Sequence, residues 1–232
     1  MKVALVQFDS ATGDVDKNIE RHAFWVKKAI AAGAHAVFFP ELSLTGYAPE
    51  LAESLACKLD DPRFDLIQQL SDEGQIIIGA GMPLSYPDGI SISMLLFQPK
   101  KARTSYDKQC LHEDELPYFV PGPRQQNVLK EALNIGLAIC YEISIAEHTK
   151  KTIENGAEVF VACVAKTPGG VEKAHYILAQ SAKQYRMPVL MANCVGICEG
   201  QAAGGNSAAW DKAGDLIATA SAQQEQLLIV SC

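Results

Sequence analysis

Short runs of consecutive apolar residues alternate with amphipathic stretches from one end of the chain to the other, and this alternation predicts the elements. "KVALVQF" reads as a strand, and residues 15–32 as a helix with Ile19, Ala23, Val26 and Ile30 on one face. "AVFF" is a second strand. "RFDLIQQLSDEG" is a helix closed by Gly74, and the strand "QIIIGAGMPL" follows it. "SISMLLF" pairs back onto that strand across a turn at Pro87, Asp88 and Gly89. Next come "NIGLAIC" as strand, "AEHTKKTIENG" as helix, "EVFVACV" as strand, residues 171–186 as helix and "PVLMANCV" as strand. "SAAWDKAGDLIATA" is a hairpin around Lys212, Ala213 and Gly214, and "QLLIV" is a last strand. No linker, repeat or low-complexity stretch interrupts the series, so residues 1–232 read as one α/β domain. The strands are apolar at consecutive positions, which predicts sheets covered on both faces, and the hairpins make those sheets mixed.

Composition narrows the partners. The chain is 48% hydrophobic and 20% charged, the profile of a soluble globular protein. Its formal net charge is -7 and its lysines are scattered, so no basic stripe is available for a phosphate backbone and nucleic acid is not an expected partner. "MKVALVQFDSATGD" has too short an apolar stretch for a signal peptide, and no apolar run is long enough to cross a bilayer. The expected location is the cytoplasm, where the seven cysteines stay reduced. None forms a Cys-x-x-Cys pair, and Cys194 with Cys198 lacks a second pair or a nearby histidine, so no metal site is expected.

Candidate chemistry sits where strands end, because ligands of α/β sheets bind outside the carboxyl ends of strands. Glu41 follows "AVFFP", Lys108 follows "ARTSYD", and Cys140 ends "IGLAIC". Each has a plain explanation alone: a solvated terminus, a surface lysine, a small core residue. Together they have a chemistry. A thiol near its ordinary pKa needs a base to become a nucleophile. A carboxylate shielded from water can serve, since burial raises its pKa toward the useful range. An ammonium beside the sulfur favours the thiolate and can donate to the oxyanion of a tetrahedral intermediate, with the backbone N–H of Tyr141 as a second donor.

Glutamate, lysine and cysteine in this order, in "FPELSLTGY", "YDKQCLHEDELPYFVPG" and "GLAICYE", resemble the nitrilase superfamily of carbon–nitrogen hydrolases. "AIAAGAHAVFFPE", "NGAEVFVAC" and "MANCVGICEGQAAGGNSAAWDKAGDLIATA" extend the resemblance in collinear order over almost the whole chain. The resemblance implies Cys140 as nucleophile, Glu41 as general base and later acid, and Lys108 as oxyanion stabiliser. It also implies a second glutamate after the lysine. Glu115, four residues before Phe119, fits that place, with Glu113 as its rival. The implied fold is a four-layer α-β-β-α sandwich with two mixed β-sheets. The implied assembly is a homodimer or larger even oligomer, with the helix after Cys140 as a plausible contact. No metal or organic cofactor is implied.

Two departures bear on substrate. "CYEISIAE" keeps Tyr141 and Glu147 but lacks the aromatic-proline pair common in amide-cleaving branches, and "SAKQY" stands where Arg-Ala-x-Glu-Asn is frequent. Tyr141 favours amide cleavage, with small linear amides, omega-amides of dicarboxylates and N-carbamoyl compounds all open, and nitriles as the alternative. Two further readings compete. One is a cysteine–histidine hydrolase using His35, His112, His148 or His175. The other is a catalytically idle binding protein on the same fold.

Overall fold

Along the first strand, Val3 and Leu5 face one way and Ala4 and Val6 the other, and all four are buried. A strand so apolar needs a layer on each side. The computed structural model, which describes residues 1–123, 127–198 and 200–232, supplies both.

In chain order the elements are β1 (Lys2–Gln7), α1 (Val15–Ala31), β2 (Ala36–Phe38), α2 (Ala52–Leu55), α3 (Asp65–Gly74), β3 (Ile77–Tyr86), β4 (Gly89–Phe97) and β5 (Thr104–Asp107). They continue with β6 (Val128–Leu129), β7 (Ile135–Ile139), α4 (Ala146–Glu154), β8 (Val159–Cys163), α5 (Pro168–Tyr185) and β9 (Val189–Ala192). The last are β10 (Ile197–Cys198), β11 (Gln201–Ala202), β12 (Ala208–Trp210), β13 (Leu216–Thr219) and β14 (Gln226–Ser231). One sheet has the order β14-β1-β2-β3-β4-β5 and the other β13-β12-β9-β8-β7-β6. Both are mixed. β1, β2 and β3 run parallel, as do β7, β8 and β9, while hairpins add antiparallel edges.

The layers follow from which side chains meet. Val3, Leu5 and Phe38 of one sheet pack on Ile135, Leu137, Val161 and Leu190 of the other, forming the central core. Ala4, Val6 and Ile78 pack outward on Ile19, Ala23 and Val26 of α1 and Ile67 of α3. Phe160, Ala162 and Met191 pack outward on Ala174, Leu178 and Ala182 of α5. This is the α-β-β-α sandwich expected from the resemblance.

Local corrections have local causes. The helix expected to close at Gly74 includes it, and Gln75 takes the left-handed cap conformation at φ 49°. Gly74 instead leaves room for Ile30, whose Cδ1 would lie 2.4 Å from a Cβ at this position. The helix expected from 171 begins at Pro168, whose fixed φ and missing N–H suit the first helical turn. The short pieces α2, β6, β10 and β11 carry too few residues to show a period, and the hydrophobic pattern did not predict them.

Topology brings strand ends together. β5 is antiparallel to β4, itself antiparallel to β3, so β5 runs in the direction of β2. The hydrogen bond from Gln109 N–H, just past β5, to Glu142, just past β7, sets the carboxyl ends of these strands of the two sheets side by side.

Candidate active site

Three residues past Phe38, Glu41 is only 2% exposed, unlike most charged residues at the start of a loop. The chain from Pro40 to Gly46 is tucked against β3 because position 81 is glycine. A Cβ on Gly81 would lie 2.2 Å from the Leu42 nitrogen and 2.7 Å from the Pro40 carbonyl oxygen. Gly81 also fixes this loop, its N–H donating to Ser43 Oγ at 3.1 Å and its carbonyl accepting from Leu44 N–H at 2.9 Å. His22 of α1 backs the loop. Its Nδ1 donates to the Asn18 carbonyl at 2.7 Å and its Nε2 accepts from Ser43 Oγ at 3.0 Å. Burial pushes this imidazole down to about 3, so it stays neutral.

Lys108 follows β5 directly and is fully buried. Its backbone is clamped on both sides: its N–H donates to the Ile92 carbonyl at 2.8 Å, and its carbonyl accepts from Gly122 N–H at 2.7 Å. Its ammonium lies 2.7 Å from Glu41 Oε1 and 2.5 Å from Glu115 Oε1. Glu115 is buried as well, accepting from Tyr47 Oη at 2.9 Å and, through Oε2, from His112 N–H at 2.7 Å. Glu113 is exposed. Of the two rivals, it is Glu115 that the fold places on the lysine.

Cys140 opens a short 3-10 turn (Cys140–Ser144) directly after β7, at φ 44°. A non-glycine residue in the left-handed region is strained, and such strain clusters at functional sites. Leu42, beside Glu41, shares this conformation at φ 50°. The thiol is half-buried and donates to the Ala165 carbonyl at 3.7 Å, while Glu41 Oε2 is buried with no hydrogen-bond partner. The Cys140 side chain is among the influences that lower the Glu41 pKa, which leaves this open oxygen as the candidate acceptor of the thiol proton.

The charges act on one another through a dry interior. Burial raises Glu41 to about 7; the ammonium of Lys108 opposes the rise and the carboxylate of Glu115 adds to it. Burial pushes Lys108 down, but the charges of Glu41, Cys140 and Glu115 outweigh it and hold the ammonium above its ordinary range. Burial, then the Glu41 carboxylate, lifts the Cys140 thiol to about 12, against the pull of Lys166 and Lys108. Burial and the Glu41 carboxylate together favour the proton on sulfur in the resting site.

Cys140 opens into a cavity of about 170 Å³ whose wall includes Tyr47, His112, Glu115, Tyr141 and Lys166. That is below the range of drug-sized ligand pockets and suits a small molecule. The Tyr141 ring stands edge-on to His112, with centroids 5.0 Å apart. Among the described residues no histidine is hydrogen-bonded to Cys140. His112 bonds Asp114 at 2.5 Å, His148 lies beside Tyr106 Oη at 2.8 Å, His175 beside the Asn206 carbonyl at 2.8 Å, and exposed His35 accepts from Lys2 N–H. Nor do the described residues include a cluster of His, Cys, Asp and Glu fit to hold a metal ion.

One residue of this region gave no sequence signal. Glu142, fully buried, accepts from Ile139 N–H at 2.8 Å, Gln109 N–H at 2.7 Å and Tyr106 Oη at 2.8 Å. It thus ties the residue before Cys140 to the residue after Lys108 across the two sheets. Burial raises its pKa, and the N–H groups of Ile139 and Gln109 hold the rise back. Because every partner is a donor, an amide at this position would turn an NH₂ against an N–H. Glu142→Gln is expected to cost about 2–3 kcal/mol, which in a chain of this size is a fall in Tm of roughly 4–12 °C. A melt unchanged within a degree would show that the link contributes nothing to stability.

The carbon–nitrogen hydrolase family model matches residues 2–232. Among curated relatives, an (R)-stereoselective amidase from a Pseudomonas species is 27% identical over 199 residues, covering 84% of this chain and 72% of that protein. A glutamine-dependent NAD(+) synthetase from Aquifex aeolicus is 27% identical over 241 residues, covering 100% of this chain but only 42% of the synthetase. Among solved structures, a variant of the amidase from Nesterenkonia sp. AN1 superposes with a TM-score of 0.91 at 22% identity, over 100% of this chain and 93% of that one. It shows the result of Michael addition of acrylamide at the active site cysteine. Another variant of that amidase, in complex with butyramide, has a TM-score of 0.90 at 22% identity, over 99% and 90% of the two chains. Among the described residues, no helix is long and apolar enough to cross a membrane. With the family model spanning essentially its full length, the chain belongs to the carbon–nitrogen hydrolase family.

Proposed function

We propose that this protein hydrolyses the carbon–nitrogen bond of a small amide through an acyl-enzyme on Cys140. One observation carries the reading: a strained cysteine at a strand end, opening into a small cavity, beside a buried Glu41 that has one oxygen bound to Lys108 and the other free.

Glu41 takes the thiol proton as sulfur attacks the carbonyl carbon, and the carbonyl π electrons move onto oxygen. The oxyanion is met by the Lys108 ammonium and the Tyr141 N–H. When the intermediate collapses, the carbon–nitrogen bond breaks, and Glu41 returns the proton to the departing nitrogen, releasing ammonia or an amine. Water then attacks the thioester, with Glu41 again as base, and Cys140 leaves as the thiol with the acid as product. Glu115 holds Lys108 in register, sharing its ammonium with Glu41. The amidases among the relatives support an amide over a nitrile, as does Tyr141. The cavity of about 170 Å³ supports a small substrate. The family resemblance supports a homodimer or larger even oligomer.

Ammonia release from a panel of small amides, glutamine, N-carbamoyl compounds and nitriles tests the reading, with Cys140→Ala as control. Turnover of amides first, lost in the control, is the expected result. Because Glu41 can take the thiol proton as sulfur attacks, one equivalent of iodoacetamide, itself a small amide, should label Cys140 before Cys57, Cys110 or Cys232 despite its raised pKa, with activity lost in step, as read by peptide mapping. Labelling elsewhere with activity retained would return Cys140 to the core.

A further inference from the structure

Two polar residues of α1, Asn18 and His22, are as fully buried as the apolar Val26 of the same helix. They stand one helical turn apart on one face, and both reach the loop that carries Glu41. Asn18 Nδ2 donates to the Leu44 carbonyl at 3.1 Å. His22 Nε2 accepts from Ser43 Oγ at 3.0 Å, while its Nδ1–H is occupied by the Asn18 carbonyl at 2.7 Å. Phe8 and Phe39 hold the imidazole on two sides, with ring centroids 4.5 Å and 4.0 Å away. Ser43 is the joint between helix, loop and sheet. Its hydroxyl accepts from Gly81 N–H of β3 at 3.1 Å and donates to His22, and its carbonyl accepts from Ser10 Oγ at 2.9 Å. At 1% exposed, Ser43 has no solvent to replace either hydroxyl partner.

Between Glu41 and Ser43 lies Leu42, whose φ of 50° is in the left-handed region. A bulky residue keeps that conformation only where its surroundings over-determine it. Inside the loop, Ser43 N–H meets the Pro40 carbonyl at 3.3 Å and Thr45 N–H the Leu42 carbonyl at 3.0 Å. The further restraint comes from outside, from β3 through Gly81 and from α1 through His22. Glu41 itself has one anchor: its Oε1 meets Lys108 at 2.7 Å, while its Oε2 is buried without a hydrogen-bond partner. No side chain aims that second oxygen, so its direction is inherited from the backbone that bears it.

Resting on the reading of Glu41 as base, we propose that His22 is a positioning residue for the reaction: through Ser43 it holds the strained turn after Glu41, and so aims the free carboxylate oxygen at the Cys140 thiol. His22 acts from behind the loop and touches neither the substrate nor the reacting atoms. The competing role is that of an ordinary core histidine, whose loss lowers stability and leaves turnover alone.

The test compares His22→Leu, which removes the acceptor for Ser43, with His22→Gln, whose side-chain carbonyl reaches the place of Nε2. Well below each variant's melting temperature, His22→Leu should lose kcat by about 10- to 100-fold, the scale of a misplacement of roughly 1 Å. KM should change little, because no substrate contact is lost, and His22→Gln should recover most of kcat. The acid limb of kcat/KM should move as well. With its turn released Glu41 gains water, the burial that raises its pKa weakens, and the limb falls to lower pH in His22→Leu. His22 itself stays neutral down to about 3, so its own proton plays no part in that limb. If His22→Leu fails to fold, Ser43→Ala carries the test, read by the rate at which iodoacetamide alkylates Cys140, which should fall. Full kcat or full alkylation in a folded His22→Leu or Ser43→Ala, with only the melt lowered, would overturn the assignment and leave Glu41 as base. Equal loss of kcat in His22→Leu and His22→Gln would overturn it too, since the retained acceptor would then count for nothing. An acid limb that persists in Glu41→Gln would remove the reading beneath it and the assignment together.

Discussion

Glu41→Gln is expected to lower kcat by about a thousandfold or more, and combining it with Cys140→Ala is expected to lower it no further than Cys140→Ala alone. The amide keeps the shape of the side chain and can still accept from Lys108, but it cannot take the thiol proton. Residues that act as one unit show such non-additivity, since the second loss removes a step already gone. The pH profile carries the same signature. Activity needs one proton on the pair: Glu41 ionised and Cys140 a thiol. Below about 7 Glu41 takes up a proton and the pair holds two, so kcat/KM should rise with pH to a plateau just above neutrality. The loss of the thiol proton, near 12, lies beyond the working range. In Glu41→Gln that acid limb should vanish from whatever activity remains. A variant retaining a tenth of wild-type turnover, or a limb that persists without the carboxylate, would take the role of base away from Glu41.

How far the sequence alone reaches depends on the kind of signal. The long strands and helices were legible because their apolar positions repeat over many residues: β3, β4, α1 and α5 stand within a few residues of where the hydrophobic pattern places them. The pairing of β3 with β4 could be read too, since Pro87 and Asp88 join Tyr86 to Gly89 in a tight hairpin. Face assignment inside α1 was less secure. Ala29, not Ile30, is fully buried, because Ile30 leans over Gly74 at the helix edge.

The site divides in the same way. Glu41, Lys108 and Cys140 could be singled out because each ends a strand, and the resemblance put them in order. The ion triad adds what one dimension cannot carry. Choosing Glu115 over Glu113 needed the turn after Lys108, where one carboxylate goes in and the other out. Glu142 looked like any polar residue after a strand. Its meaning comes from a contact across sheets to Gln109, thirty-three positions away. The glycines at 81 and 122 act only through space, by letting backbone pass where a methyl group would collide. Such residues leave no periodic trace, so they are found by packing and not by pattern.

Lys108→Met is expected to be the most destabilising of the site variants, and its instability should depend on pH in a defined direction. The ammonium is the only cation bound to Glu41 and Glu115 among the described residues. Removing one partner of a buried ionic cluster leaves charge uncompensated, at a cost of about 3–5 kcal/mol, or a fall in Tm of roughly 6–20 °C. The sign follows from Glu41. Its folded pKa, about 7, already exceeds its ordinary value of 4.5, because burial outweighs the ammonium. Taking the ammonium away removes the influence that lowered it most and leaves Glu115 to raise it further. A carboxyl group that holds its proton more tightly when folded stabilises the fold at low pH, and that contribution is lost as pH rises through the folded pKa. The gap in Tm between wild type and Lys108→Met should therefore be wide at pH 8 and narrow at pH 5. Lys108 itself titrates far above this window and does not blur the comparison. Activity should stay lost at both pH values, since acid conditions that restore the fold do so by protonating the base. Thermal melts at the two pH values decide it: an equal gap at both would mean that the lysine serves packing alone and that the two carboxylates do not depend on its charge.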